Sequence, residues 1–181
     1  VPGISLSDNQ ISLQSGETKS IMASFDTVGI EAGVYTGNIE IKGKEKSDNL
    51  PVVFEIESKD VFFDLNIDIP PQYASISPGQ KVIAQVKIFD LTSGGTSEGL
   101  GPTRVNVDYF IYDIEGNAIS SQSETVVVDR QTQITQAITF PESAKIGEYV
   151  FFAVVKYKSS VGVASHIFSV VQSDKGILSG Y

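Results

Sequence analysis

Apolar and polar residues alternate along most of this chain with a period of two, as they do in a β-strand with one buried face. The pattern runs through GNIEIKG (37–43), LPVVFEIES (50–58), FFDLNIDIP (62–70) and KVIAQVKIFD (81–90). The aromatic and β-branched stretch RVNVDYFIYD (104–113) follows it as well. No run of helical length shows the 3.6-residue period of an amphipathic helix. The sequence therefore predicts an all-β protein.

Turn-forming residues separate these stretches, notably Pro78-Gly79, Glu115-Gly116-Asn117 and the glycine-rich segment 93–102. Strands are predicted in the N-terminal part at about 3–7, 10–14, 18–25, 34–42 and 50–57.

A weak internal repeat aligns residues 15–26 with 77–90, and residues 31–43 with 145–158. We therefore predict two tandem antiparallel β-sandwich units. The predicted boundaries are a small and incomplete unit at 1–58, a larger unit at 61–173, and a flexible tail at 174–181.

The strand GEYVFFAVVKYK (147–158) departs from simple alternation, because both of its faces are apolar for most of its length. If Tyr149, Phe151 and Val155 point into the core, the opposite face is left with large apolar side chains. The neighbouring strand 104–113 adds two aromatic residues to that outer face. The predicted protein–protein contact face consists of Phe110, Tyr112, Val150, Phe152 and Val154.

The sequence leaves open what covers this outer face. The first unit could fold back over it, a neighbouring subunit could pack on it, or a ligand could bind there. A flat sheet face suits a protein contact better than a small-molecule pocket. Donation of a strand between chains is a further route by which an incomplete first unit could be completed.

Composition excludes several classes of function. The chain carries 22 acidic and 13 basic residues among 181, for a net charge of −9, which argues against binding nucleic acid or an anionic membrane. The longest apolar run, Tyr149 to Val155, is far shorter than the ~20 residues of a membrane span. With no cysteine, the chain has no disulfide and no cysteine nucleophile. The start at Val1 and the Ser-, Thr-, Gly- and Val-rich composition lead us to expect an exported protein or an extracellular fragment.

Candidate chemistry is sparse, so we expect no enzyme. His166 is the only histidine and lies in an apolar strand, which is typical of a structural residue. No nucleophile elbow or phosphate-binding glycine loop is present. Asp64, Asn66 and Asp68 are weak candidates for calcium ligands, since alternate residues of one strand lie about 7 Å apart. No other cofactor is expected.

The order of these segments resembles an immunoglobulin-like domain: a Pro-Gly strand, an aromatic hairpin containing DIEGN, a Gly-x-Tyr strand and a closing strand. The combination of GVYTGNIEIKG with PVVFEI resembles the tandem immunoglobulin-like modules of prokaryotic, notably archaeal, cell-surface and S-layer-type proteins. The chain departs from antibody domains in lacking the cysteine pair and the core tryptophan.

The resemblance implies a non-catalytic extracellular structural protein of a surface layer, stalk or filament. Its partners would be like subunits or neighbouring domains of a larger surface protein. The alternative is an adhesin module that binds glycans or a host surface, for which Tyr109, Tyr112 and Tyr157 are the available aromatic residues.

Overall fold

The computed structural model describes residues 4–92 and 101–172. These residues form an all-β fold of mainly antiparallel sheets, which confirms the predicted fold class. Their one helical element is a 3-10 turn at Pro71–Tyr73. None of their helices has the length and apolar character needed to cross a bilayer. The strands are β1 (Ile4–Leu6), β2 (Ala23–Phe25), β3 (Gly33–Lys42), β4 (Ser47–Ile56), β5 (Phe63–Asp68), β6 (Ser75–Ile76), β7 (Lys81–Asp90), β8 (Thr103–Asp113), β9 (Ala118–Val128), β10 (Gln131–Thr139), β11 (Gly147–Tyr157) and β12 (Ser160–Val170).

The chain divides into two compact units, Val1–Glu31 and Ala32–Tyr181. In the first unit β1 pairs antiparallel with β2, and the amide of Ser7 donates to the carbonyl of Met22 over 2.8 Å. The strand predicted at 10–14 is wrong, because these residues form no strand. Ile11 and Leu13 are exposed, so apolar alternation here has no buried face to stabilise a pairing.

The second unit is built on a β-sandwich. A small sheet has the order β10-β7-β5, and a large sheet has the order β6-β12-β11-β8-β9. The residues that alternate along β7 face the core, where Val82, Ala84, Val86 and Ile88 are all 0% exposed. The core between the sheets also holds Tyr109, Phe140, Phe151 and Phe168.

The β3–β4 hairpin also lies in the second unit, on the outer face of the large sheet. The boundary predicted between 58 and 61 therefore falls inside this unit, and two tandem sandwiches are not confirmed. The hairpin belongs to this unit because β11 carries large apolar side chains on both of its faces. Without the hairpin, those on the outer face would be exposed to water. The tail predicted at 174–181 lies outside the described residues, as does most of the glycine-rich segment.

The two sheets approach closely where β12 passes β5. A Cβ atom added to Gly162 would lie nearer to the carbonyl oxygen of Phe63 than the 3.0 Å that real Cβ atoms keep. The amide of Phe62 donates to the hydroxyl of Ser160 over 2.9 Å at the same crossing. Glycine at 162 thus allows the start of β12 to pack directly against the backbone of β5.

Candidate functional site at the outer face of the large sheet

The structure brings together all five residues of the predicted contact face. β11 pairs with β8 so that Phe152 lies opposite Phe110 and Val150 lies opposite Tyr112. The rings of Phe110 and Phe152 stack with their centroids 4.9 Å apart, and Tyr112 meets Phe152 edge to face, also at 4.9 Å. Val154 continues the same row along β11, so the five side chains form one apolar surface.

The β3–β4 hairpin covers this surface. Val34 from β3 and Val53 from β4 pack against Phe152 and its neighbours, and Phe152 is only 4% exposed. Of the three covers that the sequence left open, the structure shows the one within the chain. In this conformation the five residues form a second core under the hairpin, and their contact with another subunit stays a prediction.

Two further positions on β12 complete the outer face. Val163 lies opposite Val154 and is 3% exposed, whereas Ile167 lies opposite Val150 and is 36% exposed. Val163 belongs to the second core. The hairpin thus covers the end of β12 that carries Val163 more completely than the end that carries Ile167.

Polar side chains continue the outer face beyond the hairpin. Asp108 on β8 accepts hydrogen bonds from the hydroxyl of Ser123 at 2.6 Å and from the ammonium of Lys156 at 3.1 Å. The Ser123 bond, with the help of Lys156, holds the pKa of Asp108 below its ordinary value, although partial burial acts in the opposite direction. The hairpin therefore lies on the apolar part of the face, and the polar part needs no cover.

Side chains at the end of β4 cap the free edge of β12. One carboxylate oxygen of Glu55 accepts from both the amide and the hydroxyl of Ser165, each at 2.6 Å. A carboxylate oxygen of Glu57 accepts from the amide of Val163 at 3.3 Å. The hydroxyl of Ser58 accepts from the amide of Val161 at 2.8 Å, and the Ser58 amide donates to the Val161 carbonyl at 3.0 Å.

We refer to Glu55, Glu57 and Ser58 as the edge caps. They satisfy backbone amides at three alternate residues along the edge of β12 that faces away from β11. On that edge β6 pairs with β12 at Ser169 and Val170. An uncapped edge of this kind is a template for another strand. Sequence reasoning missed the edge caps, and the only signal for them is a pair of acidic residues flanking Ile56 at the end of an apolar strand.

A cleft of about 320 Å³ lies at one end of the large sheet, between the β8–β9 turn and the start of β11. Asp113 holds the turn by accepting from the amide and the side-chain nitrogen of Asn117, at 2.7 and 2.8 Å. Tyr149 donates to the carbonyl of Lys145 over 2.8 Å. Burial raises the pKa of Tyr149, and the negative charges of Asp113 and Glu115 raise it further.

The tyrosines considered for sugar binding do not form an exposed platform. Tyr109 is 0% exposed, and its hydroxyl donates to Glu124 at 2.8 Å. Burial, and then the hydrogen bond to Glu124, raise its pKa well above the ordinary value. Tyr112 is half-buried beside Phe152, and Tyr157 is half-buried against Phe63.

Residues considered for catalysis or metal binding stand apart from one another. His166 is half-buried on β12, on the same face as Ala164 and Phe168, as the sequence predicted. Asp64, Asn66 and Asp68 alternate along the edge strand β5, and the Asp64 carboxylate accepts from the amide of Leu65. Across residues 4–92 and 101–172, no three His, Cys, Asp or Glu side chains gather as metal ligands. Calcium binding at 64–68 stays a prediction.

Apolar side chains are exposed in the first unit and at the end of the hairpin. In the first unit Val28 is 88% exposed and Met22 is 70% exposed. On the hairpin Ile41 and Leu50 are 54% and 53% exposed. Among residues 4–31, the other exposed large apolar side chains are Ile11, Leu13 and Ile21.

Comparison with known proteins gives structural likeness alone. No protein family and no curated protein matches the chain. The CARDB domain of a Pyrococcus furiosus protein, solved in complex with di-metal ions, is 16% identical with a TM-score of 0.39, covering 63% of this chain and 95% of its own. The sporulation control protein Spo0M of Bacillus subtilis is 13% identical with a TM-score of 0.43, covering 61% of this chain and 49% of its own. A Listeria innocua β-glucosidase solved with glucose is 10% identical with a TM-score of 0.38, covering 65% of this chain and 16% of its own.

Proposed function

We propose that this chain is a non-catalytic extracellular structural protein of a surface layer, stalk or filament, and that it acts through contacts with like subunits or neighbouring domains. One observation carries the proposal. Five large apolar side chains are exposed between residues 11 and 28 of the first unit, with Met22 and Val28 the most exposed. A concentration of exposed apolar side chains in so short a stretch is typical of a protein contact surface.

We place the main contact surface on the first unit rather than on the outer face of the large sheet. The outer face is occupied by the hairpin, while the first unit presents apolar side chains to solvent. The extracellular location is supported by the Ser-, Thr-, Gly- and Val-rich composition. The likeness to archaeal surface modules rests on turn and strand motifs of the sequence and is part of the same proposal. The glycan-binding alternative is not favoured, since Tyr109 is buried and Tyr112 and Tyr157 are packed against other rings.

Sedimentation velocity over a range of protein concentrations tests the proposal, with electron microscopy of any polymer that forms. We expect the mass to rise with concentration. Replacing Met22 and Val28 by serine should weaken self-association on the order of tenfold, which corresponds to ~1.4 kcal/mol. The free energy of unfolding should change by no more than about 0.5 kcal/mol, as is usual for surface positions.

Val127→Ser is the matched control, because Val127 is 49% exposed on β9 of the large sheet. It removes an exposed valine without touching the first unit, and it should leave self-association unchanged. A chain that stays monomeric at every concentration contradicts the proposal. So does a Met22→Ser, Val28→Ser variant that associates as strongly as the control.

A further inference from the structure

The β3–β4 hairpin covers the outer face without joining the large sheet. Its ten-residue strands pair only with each other, so β3 and β4 form a separate two-stranded sheet. The contacts that hold it include the apolar packing of Val34 and Val53, a 3.5 Å hydrogen bond from the Thr36 hydroxyl to the Asp113 carbonyl, and the edge caps. Such contacts can be broken and re-formed without unfolding either sheet of the sandwich.

The outer face sets strict requirements for anything that covers it. The cover must place apolar side chains over Phe152 and its neighbours. It must also present acceptors to the amides of Val161, Val163 and Ser165 on the edge of β12. A partner that met only the first requirement would leave backbone amides without acceptors at a partly covered edge, which is costly. The hairpin followed by the edge caps meets both requirements within one continuous segment.

The connection between the hairpin and the sandwich is short. Ser58 is bound to Val161 of β12, and Phe62 is bound to the adjacent Ser160. Only residues 59–61 separate these two anchors. These three residues can also adopt an extended conformation, so that the hairpin reaches another molecule. Short hinges favour this exchange of a segment between molecules.

We infer that the hairpin is an exchangeable element, and that in the assembled protein the hairpin of one copy covers the outer face of a second copy. The partner is a second copy of this chain, because its hairpin and edge caps reproduce every contact that the face requires. Each contact that the hairpin makes with its own chain is made with the second copy after exchange. The exchange therefore costs little free energy beyond the entropy of association. This inference rests on the proposed function, since it supplies a second contact between like subunits beside the one made by the exposed side chains of the first unit.

The absence of cysteine allows a direct cross-linking test. One sample carries Glu55→Cys and a second carries Ser165→Cys, at two residues in direct contact between the hairpin and β12. After the two samples are mixed at a concentration that permits assembly, a short bismaleimide is added. We expect a cross-linked heterodimer, at several times the yield given by the control. In the control, Ser165→Cys is replaced by Ser123→Cys, which is exposed and bound to Asp108 on the polar part of the same face.

A second variant carries Glu55→Cys and Ser165→Cys in one chain and is cross-linked while dilute, so that the hairpin is fixed on its own face. We expect this locked chain to associate less strongly when concentrated than the same variant without cross-linker, because it keeps only the contact made by the first unit. Heterodimer yield no higher than that of the control, or a locked chain that assembles like the unlocked one, overturns the inference. If the locked chain assembles like the unlocked one, the proposed function stands, because self-association persists without exchange of the hairpin. If the wild-type chain never associates, the proposed function fails as well.

Discussion

Truncation of Phe152 to alanine tests whether the outer face is a true second core. Phe152 is 4% exposed, contacts the rings of Phe110 and Tyr112, and is covered by Val34 and Val53. Replacing a buried phenylalanine by alanine costs about 3–5 kcal/mol, from the lost burial of the ring and the cavity that remains. A domain of this size has about 5–15 kcal/mol of stability in total, so the variant should be near the limit of folding.

Urea denaturation followed by circular dichroism measures this loss, at one fixed protein concentration so that association affects all variants equally. Ile167→Ala is the matched control, because Ile167 lies on the same face of the same sheet but is 36% exposed. We expect it to cost about 1 kcal/mol, in line with the average for single substitutions. Equal losses for the two variants would refute the claim that the hairpin turns this face into a core.

Three further outcomes are expected. Gly162→Ala should cost at least about 1–3 kcal/mol in urea unfolding, because its methyl group would overlap the Phe63 carbonyl oxygen and force β12 away from β5. In the wild-type chain the pKa of Tyr109 is raised by folding, so above about pH 10 the unfolded phenol ionises while the folded phenol stays protonated, and the free energy of unfolding falls as the pH rises. Tyr109→Phe removes this phenol, so its free energy of unfolding should fall less steeply over the same pH range. Glu55→Ala should speed hydrogen exchange at the Ser165 amide, which loses its acceptor.

Each of these outcomes has a matched comparison. Gly33→Ala adds a methyl whose nearest neighbour is a ring carbon of Tyr35 at 3.9 Å, so a cost equal to that of Gly162→Ala would contradict the overlap. An unchanged stability profile between about pH 9 and about pH 11 in Tyr109→Phe would show that this phenol does not contribute there. Exchange at the Val161 amide, capped by Ser58, should be unaffected by Glu55→Ala, and a parallel rise at both amides would indicate loosening of the whole edge instead.

The sandwich could be predicted from the sequence because its signal is local. Alternation along residues 81–90 and 104–113 assigns each side chain to a face, and turn residues mark the ends of the strands. The same reasoning placed Phe110, Phe152 and Val154 together on one outer face, since antiparallel neighbours in a sheet share their faces. The two-sided apolar pattern of β11 also showed that the outer face required a cover.

What covers that face could not be predicted, because alternation says which side of a strand is buried but not against what. The pattern of β3 and β4 is equally consistent with a strand pair in an independent domain, and this led to the boundary placed after residue 58. The edge caps were invisible for a related reason. From the sequence alone, Glu55 and Glu57 are expected to face solvent. Their carboxylates accept hydrogen bonds from the amides of Ser165 and Val163 only because the fold places β12 beside them.

The hairpin and the outer face depend on each other for stability. A two-stranded ribbon is marginal in water by itself, and β3–β4 shares no ladder with the large sheet. Conversely, a sheet face carrying Phe152, Val150 and Val154 cannot remain exposed without seeking another contact. The hairpin and the outer face therefore each need the other for stability. Their chemistry does not require both to belong to one molecule. The exposed side chains of the first unit, led by Val28, are not used in this pairing and stay available for contacts of a different kind.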